Sequence, residues 1–241
     1  MYTSPSSPRT AVAQAALRGI SSMATRQVLA ELVTAFQQQS GCSAAIEAVG
    51  GVDAAKRVQA GEAFDVVILA SDAIDKLLAA GHLLPDSKVD WVRSGVAVAV
   101  PAGATLPDIS TEDAVRQAVL AARSISYSTG PSGVALAQLF ARWGIADEIA
   151  PRMVQAPPGV PVGSLVAKGE VALGFQQLSE LLHVPGITIV GPLPPAIQIT
   201  TTFSAGIGAL SQQADAARAL LAYLASPAAA DSKRKQGMEP A

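Results

Sequence analysis

Eight apolar runs of strand length, nearly free of polar alternation, punctuate this 241-residue chain at 15–20, 44–49, 65–70, 95–100, 124–128, 170–175, 187–190 and 197–207. Strands that are apolar at both parities are buried on both faces, the mark of largely parallel sheets covered by helices. Between the runs, apolar residues recur at helical spacing: Val28, Leu29, Leu32, Val33 and Phe36, then Ala114, Val115, Ala118, Val119 and Ala122. Two further stripes are Val134, Ala137, Phe140 and Ala141, and Ala217, Leu220, Leu221 and Leu224. Strand and helix patterns in alternation predict an α/β architecture.

Half of the residues are hydrophobic and only 15% are charged, which excludes a disordered chain and suffices for one large core or two modest ones. About eight strands and as many helices suit two lobes. The long strand-like segments at 91–100 and 196–207 are the expected crossings between them, dividing the chain into a lobe of 1–94 plus 202–241 and a lobe of 95–201. The proline-rich pieces 156–161 and 191–195 read as turns. Ser226-Pro227 reads as an N-cap and first helical residue, opening a closing helix whose last turn carries Lys233, Arg234 and Lys235.

Several function classes have no support. Seventeen Lys plus Arg against nineteen Asp plus Glu give a net charge of −2, so no basic excess exists to hold nucleic acid. No apolar run reaches the roughly 20 residues that span a bilayer, so no membrane insertion is expected. One cysteine, Cys42, and two histidines, His82 and His183, leave no material for an intrachain disulfide or a Cys/His metal site, and no motif calls for a cofactor. Residues 1–10 hold no basic residue before Arg9 and no apolar stretch, so the chain as it stands reads as cytoplasmic, and as periplasmic if a signal has been trimmed. A monomer is expected.

Chemistry is expected where strands run straight into helices through small residues. Three such junctions are Ser21-Ser22, Gly50-Gly51-Val52, and the loop of Ser128, Thr129, Gly130, Ser132 and Gly133. A helix start presents unpaired N–H groups and partial positive charge, and small residues let an anion approach them. Singly, such residues are ordinary caps; three that converge make a site for a small anion. None has the spacing of a nucleotide-binding loop.

The order of these pieces resembles the periplasmic molybdate-binding proteins of ABC transporters, within the type II periplasmic solute-binding class. The likeness runs from Leu17 onward through GISSMAT (19–25), Gly50-Gly51, AFDVVILASD (63–72), GHL (81–83), VAVAVP (96–101) and PDIST (107–111). It continues through GPSG (130–133), RWGI (142–145), VAKGEVALG (166–174), ASPAA (225–229) and GMEP (237–240). The resemblance implies two α/β lobes joined by two hinge strands and closing on a ligand, with an ABC permease as partner. It places the anion at Ser21 or Ser22, at Gly51 or Val52, and in the 129–133 loop. The chain departs from the family where Gly50-Gly51-Val52 replaces the usual Gly-Ser-Ser and where Phe175-Gln176 replaces a tyrosine.

Arg18, three residues before Ser21, offers a guanidinium fork suited to a carboxylate, which favours an organic anion over an oxyanion such as molybdate. Gln176 and Thr201 are candidate contacts from the second lobe and the hinge. No catalytic residue stands out. Capture of a small anion needs none; the alternative, a cytoplasmic isomerase or lyase of a small organic acid on the same clamshell, needs a general acid or base, with Glu47, Asp53 and Arg18 the nearest ionisable groups in sequence.

Overall fold

The computed structural model describes residues 16–157 and 159–241. The reading of residues 1–10, and Ala15 of the first expected strand, lie outside them. In chain order the elements are β1 (Leu17–Ser22), α1 (Arg26–Ser40), β2 (Ala44–Val49), α2 (Gly51–Gln59), β3 (Val66–Ala70), α3 (Ser71–Ala79) and β4 (Val89–Pro101). Next come α4 (Glu112–Ala121), β5 (Ile125–Tyr127), α5 (Pro131–Arg142), α6 (Ala146–Ile149), β6 (Met153–Gln155), α7 (Val162–Ala167), β7 (Leu173–Gln177) and α8 (Leu178–Leu181). The chain closes with β8 (Ile187–Pro192), β9 (Thr200–Ile207), α9 (Ala214–Ala225), α10 (Ala230–Lys235) and β10 (Met238–Pro240).

The strands form one curled sheet in the order β2-β1-β3-β9-β4-β7-β5-β6, with β8 and β10 also paired to β4. Pairing is parallel on the outer strands of each half, β1 with β2 and β3, and β5 with β6 and β7. It is antiparallel wherever β4 or β9 takes part. β4 is shared: its residues up to Gly95 pair with β9, and from Val96 onward with β7 and β8. The return crossing lies beside it, where Val96 N–H donates to the Ile199 carbonyl and to the Gln198 side chain, each at 3.0 Å.

Each half carries its own core. In the first, Val66 and Ile68 of β3 pack with Leu29, Leu32 and Phe36 of α1 and Leu220 and Leu224 of α9, while Val67 and Leu69 pack with Val58 of α2 and Ile74 and Leu77 of α3. In the second, Val96, Val98 and Val100 face Val115, Val119, Leu136 and Phe140, and Ala97 and Ala99 face Leu181 on the other side. This burial at both parities is what the continuous apolar runs encode. β6 and β10 escaped the sequence reading because both are three-residue strands with exposed positions, so neither shows a two-faced apolar run. The helix expected after Ser226 opens as a 3₁₀ turn, Pro227–Ala229, and continues into α10.

Candidate binding cleft

Between the halves lies a cleft of about 390 Å³. In the first half it is reached by the carboxyl ends of β1, β2 and β3, the usual ligand position in open α/β sheets. Ser22, Gly50, Gly51, Val52 and Ala70 line it. The second half contributes Ser128, Thr129, Gly130 and Ser132, then Gln176 and Gln177, and the return crossing contributes Thr201.

The starts of α2, α3 and α5 all open on the cleft, and none has a side chain capping its first N–H groups: Gly50, Ala70 and Gly130 occupy the cap positions. By contrast α4, away from the cleft, is capped by Thr111, whose hydroxyl accepts from the Ala114 N–H. Uncapped donors at three converging helix starts leave hydrogen-bonding capacity for an anion. The loop before α5 is held by Gly133, where a Cβ would lie 1.8 Å from the Ser128 carbonyl oxygen. Gly133 does not line the cleft; its lack of a side chain allows Ser128 and Ser132, whose hydroxyls are 3.5 Å apart, to sit there.

Ser21 and Arg18 are not brought to the cleft. Ser21 is fully buried with its hydroxyl 3.5 Å from the Glu47 carbonyl, so Ser22 is the member of the pair that lines the site. The Arg18 guanidinium bonds Glu62 and the Ala63 carbonyl and lies 4.7 Å from the centre of the Phe64 ring, on the outer surface. Position along β1 explains this: Arg18 shares a strand face with Ser22 but stands four residues, about 13 Å, before it, near the opposite end of the strand from the cleft. Of the acid–base candidates read from sequence, Glu47 is paired outside with Arg57, and neither it nor Asp53 lines the cleft.

Three charged contributors went unread. Lys56 lies four residues after Val52 on α2 and carries no ion pair among the described residues, and Lys76 lies four after Asp72 on α3, paired with it at 3.7 Å. Their signal was present, since a residue four beyond a helix start stays on the same face. Asp72, which also lines the cleft, sits in the first turn of α3.

Glu180 is the third. It follows β7 on the single turn α8 and lines the cleft, with Oε1 accepting from the Gln176 amide at 2.9 Å. Burial pushes its carboxyl up to about 7, against the opposing pull of that hydrogen bond. Gln176 is fixed from behind, its Oε1 accepting from the Gly163 N–H at 3.1 Å. The signal for Glu180 was one further strand-to-helix junction, β7 to α8, hidden because its helix is too short to show a period.

The sequence model of a family described as bacterial extracellular solute-binding protein matches residues 17–239. An aconitate isomerase from a Pseudomonas species is 42% identical over 216 residues, which are 87% of this chain and 82% of that protein. Among solved structures, the periplasmic molybdate-binding protein of Azotobacter vinelandii superposes with a TM-score of 0.77 at 22% identity, covering 92% of this chain and 98% of the other. The sulfate-binding protein of Mycobacterium tuberculosis H37Rv gives 0.76 at 15% identity, covering 94% and 87%. These two share the periplasmic-binding-protein fold with the chain.

Proposed function

Because the chain belongs to the bacterial extracellular solute-binding protein family, we propose that its cleft captures a small unsaturated polycarboxylate and isomerises its double bond. The observation that carries this reading is the meeting of three uncapped helix starts with Lys56 and Lys76 around one cleft. Its volume falls in the range of sites for organic ligands. Cationic and N–H donors on separate elements suit an acid with several carboxylates. The 42% identity to an aconitate isomerase supports the same class, since aconitate is a propene bearing three carboxylates.

The chemistry asks little of the protein beyond positioning and one proton. The CH₂ group of such an acid lies between a carboxylate and the double bond, which makes its hydrogens acidic. Removing one and returning a proton at the far carbon moves the double bond. The negative charge that spreads over the acid meanwhile is stabilised by the surrounding donors. The partner changes of β4 at Gly95/Val96 and the crossing at Ile199/Thr200 support a hinge between lobes of 1–94 plus 202–241 and 95–201.

The test is a thermal-shift panel followed by proton NMR on any stabilising acid. Cis- and trans-aconitate should stabilise the protein by several degrees and interconvert in its presence. A shift with molybdate, tungstate or sulfate alone would sink the proposal. The second reading, capture without turnover, draws on the solved neighbours that bind molybdate and sulfate; stabilisation by aconitate without interconversion would establish it.

A further inference from the structure

We propose that Glu180 is the group that removes and returns the proton, and that Gln176 is its positioning residue; this rests on the isomerase reading above. Four ionisable side chains line the cleft among the described residues: Lys56, Asp72, Lys76 and Glu180. Lys56 is exposed on α2, and Asp72 and Lys76 are both solvated and occupied with each other. Glu180 alone of the four is half-buried, and it has no ion pair among the described residues. Its two oxygens are in different situations: Oε1 is held by Gln176, while Oε2 has no hydrogen-bond partner among the described residues.

The support behind the carboxyl is rigid. Gly163 N–H fixes the Gln176 oxygen, which turns the amide NH₂ toward Glu180. Ser179, the residue before Glu180, donates its hydroxyl to the Ala24 carbonyl at 2.9 Å and lies 3.5 Å from the Ser94 hydroxyl. Gln177 donates to the Thr201 hydroxyl at 2.8 Å. The turn bearing Glu180 is thus tied to the loop after Ser22 and to both crossing strands, near the axis of any lobe movement. A carboxyl raised by burial toward neutrality can both take and give a proton there.

The step balances without a co-reactant. The Glu180 carboxylate takes one proton from the CH₂ group, and the C–H electron pair becomes part of a new C=C bond. The electron pair of the old C=C bond takes a proton from the Glu180 carboxyl at the far carbon, after the carboxyl has exchanged its proton with water in the open cleft. Net composition is unchanged, and the conformation in which the CH₂ arm is held decides which isomer forms.

The experiment follows cis-aconitate by NMR in D₂O with wild-type protein, Glu180→Gln and Gln176→Met, alongside a thermal shift with the same acid. Wild type should isomerise and place deuterium on the carbon chain. Glu180→Gln should lose both by about 10³-fold while keeping its thermal shift. Gln176→Met should lower kcat more than it raises KM and move the acid limb of the pH profile to higher pH, an effect that loss of packing alone would not give. Deuterium entry at the wild-type rate in Glu180→Gln overturns the inference and leaves the isomerase reading standing. Wild type that neither isomerises nor exchanges overturns both. Should Glu180→Gln fail to fold, Glu180→Asp decides: withdrawing the carboxyl by one CH₂ should cost about 10²-fold in rate with the thermal shift kept, and an unchanged rate overturns the inference.

Discussion

The Ser179 hydroxyl donates to the Ala24 carbonyl at 2.9 Å, fastening α8 of the second lobe to the turn that follows Ser22 in the first. Both residues are buried, so water cannot substitute for the bond. Ser179→Ala should therefore lower stability by about 1–2 kcal/mol, seen as an earlier urea midpoint. A midpoint equal to wild type would mean that the contact holds nothing.

The loop before α5 depends on a missing side chain. A Cβ on residue 133 would fall 1.8 Å from the Ser128 carbonyl oxygen, so Gly133→Ala should destabilise the protein by about 3 kcal/mol or more and displace Ser128 and Ser132. Gly51→Ala is the contrast, because its Cβ would meet only Ser22 Cβ, at 3.7 Å. That variant should unfold with wild type in thermal melts while the cleft beside it is narrowed.

Glu180 should write itself into the pH dependence of stability. Its carboxyl is raised from 4.5 to about 7 in the fold, chiefly by burial, so the folded chain holds this proton more tightly than the unfolded one. The resulting stabilisation is full below about 4.5 and is lost as pH rises through about 7, amounting to no more than about 3 kcal/mol. Glu180→Gln cannot titrate. Its stability relative to wild type should rise between pH 5 and pH 8; a constant difference would place the carboxyl in solvent. Lys233, lowered to about 8 by burial, is shared by both proteins and cancels in the difference.

Arg18 should be dispensable for ligand binding. Its contacts with Glu62, Ala63 and Phe64 lie on the outer surface, and exposed pairs of this kind contribute at most about 1 kcal/mol. Titration calorimetry of Arg18→Ala should return the wild-type dissociation constant, and a tenfold loss would return the anchor role to this residue.

Lys56 should discriminate by ligand charge. It stands at the cleft with no acidic partner among the described residues, so Lys56→Gln should weaken a tricarboxylate by about three- to tenfold and a monocarboxylate less. The loss should shrink at high ionic strength, since the contact is exposed. Equal losses for both acids would show that the lysine does not read charge.

The start of α3 after Ala70 was not read as an anion-facing junction, but those at Ser22, Gly50–Val52 and Ser128–Ser132 that line the cleft were legible because each is a local event: a strand ends, small residues follow, and a helix starts. The two-sided apolar runs made β1, β3 and the far half of β4 legible for the same reason. Arg18 was misplaced by reading proximity in sequence as proximity in space. Arg18 lies four residues, about 13 Å, before Ser22 along β1, and that rise per residue, already known for a strand, puts it at the far end from the cleft. Glu180 is a different case. Its exposure, its proton affinity and its place in the cleft all come from two lobes meeting at α8, and no window of sequence contains that meeting.

The position of β9 in the sheet, between β3 and β4, has a consequence for how the protein is made. Synthesis delivers β3 and β4 early and β9 only after the strands of the second lobe have emerged. A chain held on the ribosome before Thr200 has every strand of its second lobe, while the first lobe has a vacant slot flanked by the apolar edge of Val66–Ala70. Unpaired apolar edges attract other chains. Chaperone engagement during translation should therefore concentrate on that slot and end when β9 arrives to close the first lobe to be started.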